Sequence, residues 1–346
     1  MTTHISVDTA PAYTVTVGSG LLADCGEWLA SLHAPSTALL VSDNRVNALY
    51  GDRVAESLAA AGFSPVRFVF PHGEASKTTA TLLQLLEFMA ENNVTRTDVV
   101  VGFGGGVVSD LAGFAAAVYL RGIAHVTIPT TLLAAVDAAV GGKTGVDLAA
   151  GKNLVGAFKQ PLGVLCDTDT FHTLPETEWQ NGMAEAIKTA ALADAALLDQ
   201  LHENAPAAVA RCVAIKAAIV AEDERDNGRR QLLNLGHTVG HAIEQCSGFA
   251  IPHGRAVAMG MAVITKAAAK RGLCDEGTLA RLLEALQAAE LPTACDFTVE
   301  ELAAVAGHDK KRRGDRLTLA VPRRIGHCEL IEIPVEELPH WIADGK

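Results

Sequence analysis

Hydrophobic positions in the first half of the chain follow two alternating patterns. Short apolar runs over 12–17, 38–42, 66–70, 97–102 and 123–129 read as strands. Between them, 21–32, 46–62 and 77–91 read as helices, with Gly62 ending the second and Ser76 placed to cap the third. The run 38–42 is apolar almost throughout, as expected of a strand covered on both faces in a parallel sheet. Strand and helix in alternation predict a parallel sheet flanked by helices.

From Glu176 the pattern changes. Long alanine-rich helical stretches are expected over 178–203, 205–223, 229–246, 254–272 and 276–289, and strand signals return only at 316–321. The expected architecture is an α/β domain with a Rossmann-like parallel sheet over 1–177, followed by a mainly α-helical domain over 178–346. A functional cleft is expected between them.

Composition narrows the function. The 346 residues carry a net charge of -12, which argues against a nucleic-acid partner and against docking on an anionic membrane. An acidic chain that handles an anionic ligand must gather its cations locally. The seven cysteines form no CxxC pair and read as small buried hydrophobes in a reducing cytoplasm. No apolar run suits a bilayer span, and the N-terminal run lacks the pattern of a signal peptide.

The strand at 97–102 leads into Gly102-Phe-Gly104-Gly105-Gly106-Val-Val-Ser-Asp110. A glycine-rich turn before a helix lets backbone N–H groups approach an anion, and a nucleotide pyrophosphate is the natural guest. The G-x-G-x-x-G spacing is not met, because Val107 stands at the third glycine. Asp43 and the pair Glu74 and Lys77 fall at other strand ends, where open α/β sheets bind ligands. Thr130 and Thr131 open a capped turn after 123–129. Gly141-Gly142-Lys143-Thr144 lacks the first glycine of a P-loop, since Asp137 occupies that place, so an NTPase is rejected. Lys143, Lys152 and Asn153 lie in glycine-rich segments suited to a phosphate- or carboxylate-bearing substrate.

In the helical half, Glu185 sits in an apolar run with Lys188 three residues on. A buried carboxylate needs a cation, either that lysine or a metal. His237 and His241 are four apart on one helical face, and His253 follows a short loop. Spacing alone makes His237 and His241 a ligand pair. Thr238 replaces the glutamate of H-E-x-x-H, so a zinc peptidase is excluded.

Taken together these segments resemble the 3-dehydroquinate synthase family of sugar-phosphate cyclases. The resemblance runs from about Asp43 to Lys311 and is carried by Gly104–Phe114, Tyr119-Leu-Arg-Gly122, Ile128–Leu133, Gly141–Gly145, Gly151-Lys-Asn153, Gly182–Lys188, Leu233–Glu244 and His308-Asp-Lys-Lys311. It implies metal ligands Glu185, His237 and His253, with zinc or cobalt as the ion, and moves His241 to the substrate site. It implies NAD held by Asp43, Glu74, Lys77, Gly104, Gly105, Gly106, Asp110, Thr130 and Thr131, with Thr173 nearby. Substrate would meet Asp137, Lys143, Lys152, Asn153, Lys188, Asp226, Arg230, Asn234 and Lys310 or Lys311. Arg121 resembles an arginine that reaches the partner's phosphate site, which implies a cytoplasmic homodimer.

The implied reaction turns 3-deoxy-arabino-heptulosonate 7-phosphate into 3-dehydroquinate and phosphate, in the shikimate pathway. The alternatives are a valiolone or inosose synthase and, more remotely, a metal-dependent polyol dehydrogenase. Five positions depart from the family pattern: Ser109 for Gly, Ala138-Ala139 for Ser-Ser, Asp226 for Glu, and Arg255 for Glu.

Overall fold

The computed structural model describes residues 2–201, 203–307 and 315–346. The chain divides into two compact units, Met1–Leu174 with Lys216–Ala221, and Pro175–Ile215 with Glu222–Lys346.

The first unit carries strands β1 (Thr3–Val7), β2 (Tyr13–Gly18), β3 (Thr37–Asp43), β4 (Ser64–Phe70), β5 (Val99–Gly104), β6 (Ala124–Pro129), β7 (Lys143–Leu148), β8 (Gly151–Phe158) and β9 (Gly163–Asp167). Seven of them form one sheet in the order β1-β2-β9-β6-β5-β3-β4. Only β1 runs antiparallel to its neighbour. β7 and β8 form a separate antiparallel hairpin. The helices are α1 (Cys25–Ala30), α2 (Asn44–Ala60), α3 (Thr79–Glu91) and α4 (Gly106–Val118).

The side-chain period of two builds a core on each face of this sheet. Ala38 and Leu40 of β3 pack with Leu29, Val54 and Leu58 from α1 and α2. Leu39 and Val41 pack with Leu85, Met89 and Leu111 from α3 and α4. Each fully buried leucine of this kind contributes about 1.5–3 kcal/mol. After β4 the chain returns to the other side of β3, so the strand order reverses between β3 and β5. Ligands of open α/β sheets bind outside the carboxyl ends of strands at such a switch point. Asp43 and Gly104 are the last residues of those two strands.

The second unit contains α5 (Glu176–Ala193), α6 (Ala195–Gln200), the larger part of α7 (Ala205–Glu222, whose residues Lys216–Ala221 group with the first unit), α8 (His237–Cys246), α9 (His253–Lys270), α10 (Glu276–Ala288), α11 (Val299–Ala306) and α12 (Leu338–Gly345), with the hairpin β10 (Arg316–Arg324) and β11 (His327–Pro334). Glycines let three of these helices touch backbone to backbone. A Cβ on Gly260 of α9 would stand 2.0 Å from the Gly236 carbonyl oxygen before α8. A Cβ on Gly254 would stand 2.4 Å from Cα of Asn181 on α5. The Asn181 side chain in turn accepts from the Gly254 N–H at 3.0 Å.

Several elements differ from the sequence expectation. The cap of α3 is Thr78, whose hydroxyl accepts from Thr81 N, while Ser76 donates to Pro71 O. Lys77 stands outside the helix, with φ -79° and ψ 59°, and its carbonyl accepts from Asp147 N at 2.8 Å. The expected helix 229–246 is a 3-10 turn, Arg229–Asn234, and then α8, separated at Gly236 with φ 78°. The expected helix 178–203 breaks at Asp194, which caps α6. Strands β1, β7, β8, β9 and β11 are additional to the expected ones, and of these β9 carries a short buried apolar run, Val164-Leu165-Cys166.

Gly260→Ala forces a methyl into a carbonyl that cannot retreat. It should destabilise the fold by about 3 kcal/mol and lower the thermal midpoint by several degrees. An unchanged melting curve would show that α8 and α9 are not held at this contact.

Candidate functional site

In the second unit, the close approach of α5, α8 and α9 brings three ligand-type side chains together. Glu185 projects from α5 and is fully buried, with 0% exposure. His237 and His253 are the first residues of α8 and α9. Glu185 Oε1 lies 3.6 Å from His237 Nε2 and 3.3 Å from His253 Nε2. Donors held about 2.0–2.2 Å from a tetrahedral ion stand about 3.3–3.6 Å apart. One carboxylate oxygen and two imidazole nitrogens at that spacing fit a divalent zinc-like ion.

The surroundings orient each donor. His237 Nδ1 lies 3.2 Å from the Leu235 carbonyl, which favours the proton there and leaves Nε2 as the lone pair. His253 Nδ1 lies 3.2 Å from Glu244 Oε2, giving a carboxylate–histidine pair of the kind that supports metal ligands. The Lys188 ammonium bonds the other oxygen of Glu185, and Lys188 is itself buried. Burial works to lower the His253 pKa, but the Glu185 and Glu244 carboxylates outweigh it and push it up to about 10. His241 is exposed one turn along α8, with its ring 5.3 Å from that of His237. Its ligand nitrogen groups with Glu244 and His253, and the Glu185 trio contains His237 instead.

The first unit holds a separate polar cluster. β5 ends at Gly104, and α4 begins after Gly105 with no side chain capping its first turn. The turn must be glycine: a Cβ on Gly104 would lie 2.5 Å from Val108 Cγ2, and one on Gly105 3.1 Å from Thr131 Cγ2. Open N–H groups at the start of a 13-residue helix suit a pyrophosphate. Asp43 caps α2, with Oδ1 accepting from the N–H groups of Arg45 and Val46, both at 2.9 Å. Thr130 is buried, and its N–H donates to Gly104 O at 2.9 Å. Thr131 accepts from Ala134 N, and Thr173 bonds the Tyr50 hydroxyl at 2.6 Å.

Lys77 is the centre of this cluster. Its ammonium lies 2.6 Å from Asp110 Oδ2 and donates to Asn153 Oδ1 at 2.6 Å. Burial lowers its pKa, but the charges of Asp110 and Glu74 outweigh that and hold it above the ordinary lysine value. Lys152 lies 3.6 Å from Glu74. Asn153 adopts a left-handed φ of 53°, and its N–H donates to Asp147 Oδ1 at 2.7 Å.

The remaining expected residues fall as follows. Asp137 lies in a π turn, where its carbonyl and carboxylate both take the ammonium of Lys216. Lys143 lines a small cavity with His125, Lys159, Ser109, Ala138 and Ala139, so three of the departures from the family pattern share one wall. Burial and the Lys159 charge push His125 down to about 3. Arg121 is exposed with φ 68° after α4. Arg230 is buried and donates from Nη1 to Glu224 O at 2.7 Å. Asp226 has φ 59°, and Asn234 ends the 3-10 turn before α8. Arg255 donates to Gln180 Oε1 at 2.9 Å, tying α9 to α5. Lys310 and Lys311 lie outside the described residues.

Glu244, Asp147 and Lys216 are the residues that sequence reasoning missed. Glu244 stands two helical turns after His237, which was a visible signal. Lys216 is the one lysine in the apolar run of α7, and a buried cation needs a partner. Nothing in the sequence marked Asp147.

Comparison with known proteins adds a family. The family model described as "3-dehydroquinate synthase N-terminal" matches residues 67–181, and the one described as "3-dehydroquinate synthase C-terminal" matches 182–312. A 3-dehydroquinate synthase of Streptococcus suis is 43% identical over 342 residues, covering 95% of this chain and 96% of that one. A solved 2-deoxy-scyllo-inosose synthase complexed with carbaglucose-6-phosphate, NAD+ and Co2+ superimposes with a TM-score of 0.88 at 26% identity, covering 100% of both chains. The 2-epi-5-epi-valiolone synthase of Streptomyces hygroscopicus, with NAD+ and Zn2+ bound, gives a TM-score of 0.87 at 28% identity and covers 96% of each chain.

Two outcomes are expected at the trio. Glu244→Gln should weaken divalent-metal affinity by about 10–100-fold, because His253 loses its orienting carboxylate. Equal affinity in a chelator competition would remove Glu244 from that role. A cation must also displace the proton that His253 carries below a pKa of about 10. Affinity should therefore fall about tenfold for each unit drop in pH. Measured between pH 8 and pH 6, a flat profile would contradict a protonated His253.

Proposed function

The chain belongs to the 3-dehydroquinate synthase family, and from that premise we propose that it converts 3-deoxy-D-arabino-heptulosonate 7-phosphate to 3-dehydroquinate and phosphate. The observation that carries this reading is the convergence of Glu185, His237 and His253 beside buried Lys188, in a chain matched by both family models. The 43% identity to a 3-dehydroquinate synthase, against 28% and 26% to the two other cyclases, favours this substrate over theirs.

Glu185, His237 and His253 would hold zinc or cobalt. The Gly104–Gly106 turn and the open start of α4 would hold the NAD pyrophosphate, with Asp43 accepting from a ribose hydroxyl. When bound, the cation would supply Lewis acidity at the substrate C5 hydroxyl, and NAD would supply a reversible hydride acceptor there. The residues of this chain do the rest. Lys143, Lys152 and Asn153 bind the phosphate and steady it as it leaves. Lys188, already bonded to Glu185, stabilises negative charge that develops next to C5. Arg230 binds the substrate carboxylate, and Asn234 and Asp226 orient the chain beside it. Asp137, fixed by Lys216, accepts from substrate hydroxyls. His241 stands at the exposed side of the trio and handles a proton of the substrate. The C6 proton would go to the departing phosphate as the C–O bond breaks. Ring opening and an internal aldol closure finish a sequence with no net oxidation.

Two further parts belong to the same reading. Arg121, exposed at a left-handed turn, would reach the phosphate site of a second copy in a homodimer. A lysine of the pair Lys310 and Lys311 would meet the substrate. No helix among the described residues is long and apolar enough to cross a membrane, and we place the enzyme in the cytoplasm.

Phosphate release from the heptulosonate substrate tests the proposal. It should require NAD and be abolished by a chelator, with no accumulation of NADH. Sedoheptulose 7-phosphate and glucose 6-phosphate should release none. Turnover of only those two would overturn the assignment, and stoichiometric NADH would point to a dehydrogenase. In the same assay, His237→Ala should lose both metal and turnover, while His241→Ala should keep metal and lose turnover. Equal loss of metal in both would restore the two histidines of α8 as a ligand pair.

A further inference from the structure

His253 belongs to two groups of potential ligands. Its Nε2 faces Glu185 at 3.3 Å, and its Nδ1 faces Glu244 at 3.2 Å. Glu244 follows His241 by three residues, so both project from one face of α8. His241, Glu244 and His253 each offer a ligand atom, and these atoms lie within 4.8 Å of one another. The rings of His241 and His253 are 6.1 Å apart and tilted by 33°. The donor set is one carboxylate and two imidazoles, the same as that of the inner trio. Exposure differs: Glu185 and His237 are buried, whereas His241 is open to solvent.

We infer that His241, Glu244 and His253 form a second, outer site for a divalent transition metal, and that filling it switches the enzyme off. The inference rests on the inner trio holding the catalytic cation. The outer site is the weaker one, because His253 is already shared. With Nε2 bound inside, His253 offers only Nδ1 to a second cation, and Glu244 and His241 supply the other protein donors. Imidazole-rich sites favour zinc, cobalt or copper over magnesium, which prefers oxygen. Occupancy stops turnover for two reasons. It removes His241 from substrate, and it draws Glu244 away from the ring that it orients.

The test starts from protein loaded with one equivalent of Zn2+ and raises free Zn2+ to millimolar levels, with bound metal measured by equilibrium dialysis. A second equivalent should bind at least about tenfold more weakly than the first, and turnover should fall as it binds. His241→Ala and Glu244→Gln should each bind only the first equivalent. Magnesium at the same concentration should neither bind as a second equivalent nor inhibit. Saturation at one equivalent would overturn the proposal, as would a second equivalent that persists in both variants. Failure to retain any tight first equivalent would overturn the inner site and the outer one with it.

Discussion

The second unit is organised by the cost of hiding one carboxylate. Glu185 is fully buried on a helix that is otherwise largely apolar. An isolated charge there would cost several kcal/mol. Lys188 meets one of its oxygens, and two imidazoles meet the other. The meeting depends on the glycines that let α8 and α9 close on each other and α9 close on α5. Packing and chemistry are therefore one constraint here. The helices must approach to within backbone contact for the charge to be tolerated, and that approach creates the ligand trio.

What was legible in the sequence follows from what is local. β3 was readable because it is apolar on both faces, and its alternate side chains feed two different cores. Glu185, Lys188, His237 and His253 stood out because charged and ligating residues break apolar helical runs. The β7–β8 hairpin was not legible. Its glycines, Lys152 and Asn153 have little strand preference, and it gains regularity by pairing with itself and with the 74–78 turn. The break at Gly236 was also hidden, since only the neighbouring helix explains why the chain must turn there. Glu244 and Lys216 were visible as residues, but their partners come from other segments. The grouping of Lys216–Ala221 with the first unit is likewise a tertiary fact.

Charge in the first unit is arranged as a compact network within an acidic protein. Lys77 and Lys152 are each matched by a carboxylate, Asp110 and Glu74. Such pairs keep the cations positioned without a ligand, Lys77 buried and Lys152 partly open to solvent. Under the proposed function, an arriving phosphate would exchange with Glu74 for Lys152, and donors so preorganised would need little rearrangement as negative charge builds on it.

Lys77 has a mechanical side as well. Its carbonyl accepts from Asp147 N, and its ammonium grips Asp110 on α4 and Asn153 on β8. Lys77 thus ties α4 to the hairpin that bears Lys143 and Lys152. The two cannot shift separately: a tilt of α4 is a displacement of the hairpin. Under the proposed function, a nucleotide seated at the glycine turn would be felt at those lysines as a change of position, passed on through Lys77 and through the direct packing of α4 on β7.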